Sequence, residues 1–232
     1  MIKLDNRGFT IVELMIATAV FSVVLVIMSV GLITIGRQYV KSDINITTQN
    51  ASRTIMDEVA LQVQLGAKAP NTSTSGVYCI GSVRYSYSIG FQVEDVNNAP
   101  KNQQLHALWR DIIPNENVCQ PATLTAPDPS SSGVNNGVPG SGRELIPNHT
   151  RLVAFDINNN NGSVLSPYPD PRLWNINVSI IYGDDEIIFD TSDTLLSVSG
   201  RIDIIKNCAG INGGGAFCGL SELHTSVYRE SN

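Results

Sequence analysis

Twenty-seven consecutive residues, Phe9 to Ile35, contain a single charge, Glu13. At ~1.5 Å rise per residue that run makes roughly 40 Å of helix, against a hydrocarbon core of ~30 Å. It is long enough to span a bilayer with some tilt. Past it the apolar pattern thins without ending. Val40, Ile44, Ala51, Ile55, Val59 and Val63 recur at helical spacing, with Arg53, Asp57, Gln62 and Gln64 between them, which is an amphipathic stripe. No proline precedes Pro70, and Gly66 followed by Pro70 supplies stop signals. The spacing predicts one helix from about Phe9 to Leu65, roughly 85 Å long. Its first half is apolar all round, and its second half lays one face on a sheet. A free coiled-coil stalk competes for the stripe, but the spacing drifts from a strict heptad.

From residue 67 onward the period shortens. Gly, Pro, Asn and Ser clusters separate β-prone runs. Val83 to Val93 nearly alternates; Arg151–Ile157, Leu195–Ile205 and Leu223–Arg229 are further strands. Trp174–Tyr182 and Glu186–Phe189, joined through Gly183-Asp184-Asp185, read as a hairpin. Gln120 to Gly142 reads as a long surface loop. The predicted fold class is α+β: a long N-terminal α-helix, one half transmembrane and one half amphipathic, packed on an antiparallel β-sheet domain.

Composition sharpens this in two places. The formal net charge is −6. Residues 1–66 carry five basic and five acidic side chains, so the excess lies in 67–232, with ten basic and sixteen acidic. An acidic globular part repels a phosphate backbone on average, and no direct nucleic-acid partner is expected. The four cysteines, Cys79, Cys119, Cys208 and Cys218, all lie downstream of the apolar run and form no CxxC. They read as disulfides rather than a metal site, with four unpaired thiols as the alternative. Of the three connectivities, Cys79–Cys119 with Cys208–Cys218 keeps each pair within one segment of the chain.

Glu13 is the informative residue. A cleaved secretory signal is one reading of the N-terminus, and Ala17-Thr18-Ala19 resembles its cleavage pattern. The apolar run, however, continues sixteen residues past Ala19. A plain membrane anchor is another reading, yet an anchor gains nothing from an acid in its apolar run. At the bilayer centre a charge costs ~2.5–3.5 kcal/mol on insertion scales. Near the edge Glu13 costs less, but it still asks for a partner.

Gly8-Phe9-Thr10-Ile11-Val12-Glu13-Leu14, behind the short leader MIKLDNRG, resembles the prepilin cleavage motif of type IV pilins and type II secretion pseudopilins. The resemblance implies cleavage between Gly8 and Phe9 by a prepilin peptidase, N-methylation of Phe9, and an assembly role for Glu13 at the fifth mature position. There its carboxylate would neutralise the new amine of Phe9 on an adjacent subunit and so set register. Many major pilins carry proline near the twenty-second mature position; here Val30 stands there, followed by Gly31. The expected organisation is a leader (1–8), a transmembrane and filament-core helix (9–36), its amphipathic continuation (37–66) and a β-rich pilin-like domain (67–232).

No catalytic constellation emerges. His106, His149 and His224 are isolated, and no nucleophile elbow, HExxH, P-loop or dinucleotide fingerprint occurs. Asp156 to Gly162 resembles the start of an EF-hand, but the glycine is one place late and Pro167 stands where glutamate is needed. Asp184-Asp185-Glu186 reads as a solvated turn. No cofactor, metal or enzymatic activity is expected. The resemblance implies a structural subunit of a type IV pilus, minor rather than major. Its partners would be other pilin subunits, prepilin peptidase, the inner-membrane pilus assembly machinery and, before assembly, the lipid membrane. It would begin as a single-pass inner-membrane protein and end in an extracellular filament. A type II secretion pseudopilin and a membrane-anchored surface-binding domain outside any filament are the alternatives.

Overall fold

The computed structural model describes residues 10–71, 74–90, 93, 105–115, 119–131, 137–159, 170, 172–183 and 218–230. The chain divides into two compact units, Met1–Val40 and Lys41–Asn232. Helix α1 spans Ile11–Leu65.

In the first unit every residue from Thr10 to Tyr39 is exposed, including the apolar ones. The few hydroxyls in this stretch satisfy themselves. Ser22, Ser29 and Thr34 donate to the carbonyls of Thr18, Leu25 and Val30 at 2.7, 2.8 and 2.9 Å. A helix whose backbone and hydroxyls are paired internally presents lipid with no unmet polar group. The helix runs unbroken through Val30, Gly31 and Gly36, as expected where no proline removes an N–H.

In the second unit, Ile44, Thr48, Ser52, Ile55, Met56, Val59 and Val63 form the buried face of α1. Thr48 and Ser52 join the apolar stripe because a strand approaches closely there. A Cβ on Gly219 would lie 2.7 Å from Ile44 Cγ2 and 3.2 Å from Thr48 Oγ1. The helix ends where predicted. Gly66 N–H donates to the Gln62 carbonyl at 2.8 Å. A Cβ at Gly66 would meet that same oxygen at 2.5 Å and Ile80 Cγ2 at 2.6 Å. The Arg229 guanidinium donates to the Gly66 carbonyl at 3.2 Å and brings positive charge to the helix C-terminus.

The strands form two antiparallel sheets. β1 (Val77–Ile80), β2 (Val83–Tyr87), β3 (Leu108–Ile112) and β4 (Arg143–Glu144) pair in chain order, as do β5 (Thr150–Asn159), β6 (Leu173–Tyr182) and β7 (Gly219–Tyr228). One core joins them to α1: Ile55, Val59 and Val63 meet Tyr78, Tyr85 and Leu108 of the first sheet and Phe155, Ile157, Ile176, Val178 and Ile180 of the second. Burying each such side chain stabilises by about 1.5–3 kcal/mol. A register shift between Leu152 and Ala154 lets Leu152 opposite Ile180, Phe155 opposite Val178 and Ile157 opposite Ile176 all enter this core. Without that extra residue, strict alternation would turn either Leu152 or the Phe155–Ile157 pair outward.

One sequence expectation changes. The strand predicted over Val83–Val93 stops at Tyr87, because the chain then crosses to the second sheet: Gly90 N–H and Val93 N–H donate to the carbonyls of Leu152 and Thr150 at 2.8 and 2.9 Å. Of the Asp156–Gly162 segment, residues 160–162 lie outside the described residues. Asp156 to Asn159 are the end of β5, paired with Trp174–Asn177 of β6. The described parts of the predicted 120–142 surface loop, 120–131 and 137–142, form no strand or helix and are mostly exposed. Within 120–131, Ala122 and Leu124 pack on Trp109 of the four-stranded sheet. The Glu186–Phe189 arm of the predicted hairpin and the Leu195–Ile205 strand lie outside the described residues.

Candidate assembly site at the helix N-terminus

Gly8 and Phe9 lie outside the described residues; Thr10 and Glu13 do not. Thr10 is the N-cap of α1 and Glu13 its third helical residue. Glu13 N–H donates to Thr10 Oγ1 at 3.3 Å, while Thr10 N–H and Thr10 Oγ1 donate to Glu13 Oε2 at 2.9 and 2.8 Å. This is a reciprocal capping box. The T-x-x-E pattern that encodes it was visible in Thr10-Ile11-Val12-Glu13, but the sequence argument assigned Glu13 only a partner on another subunit. The box needs nothing upstream of Thr10, so a cut between Gly8 and Phe9 would leave it intact.

Around this acid the surface is apolar and uncovered. Ile11, Val12, Leu14, Met15 and Ile16 are all more than half exposed. An apolar helix of this length, with nothing packed on it, needs a bilayer or neighbouring helices around it. Glu13 is the one carboxylate in that surface, set one turn from the helix end.

The other candidate residues lie in the second unit. Cys79 and Cys119 are joined, with Cα atoms 5.9 Å apart, and both are buried. Cys218 is disulfide-bonded and its partner lies outside the described residues, as does Cys208. A buried disulfide belongs to an oxidising compartment.

Among the described residues, His106 and His224 each lie near a single carboxylate. His106 Nδ1 lies 3.3 Å from Glu144 Oε2, and His224 Nε2 lies 3.3 Å from Glu222 Oε1 on an exposed strand. Glu144 is occupied structurally, accepting the backbone N–H groups of Ala107, Leu108, Leu145 and Ile146 at 3.0–3.1 Å. Among the described residues no group of three or more His, Cys, Asp or Glu is placed to hold a metal. Sequence reasoning missed Glu58, which ties α1 to the first sheet through Arg110, whose Nε is 3.2 Å from it, and Arg143. No local pattern marks that contact, since its partners lie 52 and 85 residues away.

No curated protein and no solved structure is significantly similar to the chain. Residues 3–34 match the family described as the prokaryotic N-terminal methylation motif. That motif, followed by one long N-terminal helix and antiparallel sheets, supports a likeness to type IV pilin-like prepilins.

Proposed function

We propose that this protein is a minor structural subunit of a type IV pilus. It is inserted in the inner membrane through residues 9–36, cut between Gly8 and Phe9 by prepilin peptidase, methylated on Phe9, and drawn into a surface filament. The observation that carries this reading is the exposed apolar helix with its one acid, Glu13, four residues beyond the proposed new amine. Pairing that amine with Glu13 of an adjacent subunit leaves neither charge alone among apolar helices. The Cys79–Cys119 disulfide favours an orientation in which the domain beyond Lys41 faces the oxidising side of the membrane. The long segment 120–142 and the unbroken helix at Val30 favour a minor over a major subunit.

Glu13→Ala and Gly8→Ala, followed by immunogold labelling of sheared filaments, test the proposal. Wild-type protein should decorate filaments. Gly8→Ala should remain uncut in the membrane, and Glu13→Ala should be cut but absent from filaments. Labelled filaments in the Glu13→Ala strain would defeat the assembly role. Protein that never leaves the membrane, yet is required for enzyme export, would make it a secretion pseudopilin.

A further inference from the structure

The described residues of the first unit carry two charges, Glu13 near one end and Arg37 near the other. The 23 residues between them, Leu14 to Gly36, include no ionisable group. At ~1.5 Å rise per residue that interval is roughly 34 Å, slightly more than the ~30 Å of a hydrocarbon core. A tilt of roughly 20–30°, ordinary for a spanning helix, therefore lays both charges at hydrocarbon boundaries at once, one on each side.

The two charges differ in how they are satisfied. The Glu13 carboxylate accepts from Thr10 N–H and Thr10 Oγ1 at 2.9 and 2.8 Å. Arg37 is exposed, and a Cβ built on the preceding Gly36 would meet nothing within 4 Å. On a helix surface a cation finds its carboxylate three or four residues away. Ile33, Thr34, Val40 and Lys41 hold those places, and no acid occurs from Leu14 to Ser42. A guanidinium is a fork of N–H donors that matches a phosphate bidentately, and phosphate is what a phospholipid headgroup offers at the end of an apolar span. Tyr39, 75% exposed two residues further on, suits the same boundary, where an aromatic ring can keep its hydroxyl wet.

We propose that Arg37 binds phospholipid phosphate at one face of the bilayer and thereby sets the depth of Glu13 at the other. The helix is unbroken between them, and a hydrogen-bonded helix does not stretch, so fixing one end fixes the other. Arg37 is a positioning residue that acts through Glu13. It keeps the acid at the headgroup boundary, out of the hydrocarbon, while the subunit waits in the membrane. This depth requires only the span. That the depth presents Glu13 to a neighbour's amine rests on the pilus reading.

Nitroxide labels on the full chain, reconstituted in vesicles of phosphatidylethanolamine and phosphatidylglycerol, test this. Leu14→Cys and Ile33→Cys are labelled without reductant, and depth is read from accessibility to oxygen against a water-soluble nickel chelate. Arg37→Leu lengthens the apolar run toward Lys41. The Ile33 label should sink and the Leu14 label should rise toward water, each by roughly 3–6 Å, two to four residues of rise. Arg37→Lys should keep wild-type depths. Arg37→Glu, charged but repelled by phosphate, should shift both labels the other way. Unchanged depths in Arg37→Leu overturn the anchor. Sinking of the Ile33 label alone, a change of tilt, overturns the coupling to Glu13. Wild-type depths in Arg37→Glu overturn the phosphate contact, because any charge would then serve. A label on Val24→Cys that oxygen does not reach would overturn the proposal together with the span beneath it. Filament assembly plays no part in the measurement, so the anchor and the pilus reading fail separately.

Discussion

Arg84 and Asp111 form a doubly bonded ion pair in which neither side chain touches solvent; Arg84 Nε donates to Asp111 Oδ1 at 2.8 Å. Burying two ions is expensive, and the pair recovers that cost only while both members are present. Arg84→Met alone should therefore destabilise the domain by about 3–5 kcal/mol, because it leaves Asp111 buried and uncompensated. Arg84→Met combined with Asp111→Leu should recover most of the loss. Urea unfolding of the two single variants and the double variant measures this as a cycle. Additive losses would mean that the two residues do not act as a pair.

The end of α1 depends on Gly66 for space and on Arg229 for charge. Gly66→Ala places a methyl group against the Gln62 carbonyl and Ile80, and overpacking of this kind costs about 1–3 kcal/mol. Arg229→Met removes the donor to the Gly66 carbonyl. The loss should be about 0.3–1 kcal/mol and should shrink with added salt, as a helix-dipole interaction does. Thermal unfolding at low and high ionic strength distinguishes the two, because the Gly66→Ala penalty is steric and should not respond to salt.

Tyr85 is fully buried at the centre of the first sheet. Burial pushes its phenol well above the ordinary tyrosine range, the nearby Glu58 charge adds to that, and Arg110 opposes it. The folded state thus holds this proton more tightly than the unfolded state does. That contribution is complete below the unfolded pKa of ~10 and is lost as pH rises toward the higher folded value. The domain should unfold on the alkaline side with tyrosinate absorbance and circular dichroism changing together, and Tyr85→Phe should move that transition to higher pH. A phenol that ionises at an ordinary pH without unfolding contradicts its burial.

Asp170 behaves in the opposite sense at the other end of the pH scale. The Arg172 side chain and backbone N–H hold its carboxyl below the usual range, and the Tyr228 hydroxyl, at 3.1 Å, adds to this. A depressed folded pKa stabilises above the unfolded value of ~3.9, and the effect is lost as pH falls through the folded one. Wild type should therefore exceed Asp170→Asn in denaturant midpoint at neutral pH, and the gap should close in acid. Because the cluster is exposed, added salt should narrow the neutral-pH gap as well.

What was legible in the sequence followed from local period. The 3.6-residue stripe marked α1 to its last turn at Leu65, and alternation marked β5, β6 and β7 to within a few residues. β1 and β3 were missed because Val77–Ile80 is buried throughout and Leu108–Ile112 places a charged pair, Arg110 and Asp111, on opposite faces, so neither alternates. Their outer face is buried by a segment that composition alone described as loop. That face includes Arg84 and Asp111, both fully buried, with Arg84 donating to the Gln120 carbonyl. At the helix N-terminus Glu13 stood out as an acid in an apolar run, but the capping box it forms with Thr10 did not. A partner three residues away was overlooked in favour of one on another chain.

That cap separates two roles that Glu13→Ala removes together. In the present structure the carboxylate accepts from Thr10 N–H and Thr10 Oγ1; in the proposed filament it also offsets a neighbour's amine. Glutamine serves a capping box as glutamate does, but it carries no charge. Glu13→Gln should leave the first turn of α1 formed and membrane insertion and cleavage normal, yet fail to enter filaments. Thr10→Val does the reverse, keeping the charge while weakening the box by about 0.5–2 kcal/mol. It should enter filaments at reduced efficiency, and Thr10→Ser should restore it. The two variants are compared by cleavage on immunoblots and by subunit content of sheared filaments. If Glu13→Gln assembled as well as wild type, the cap alone would account for the acid, and charge pairing between subunits would have to be abandoned.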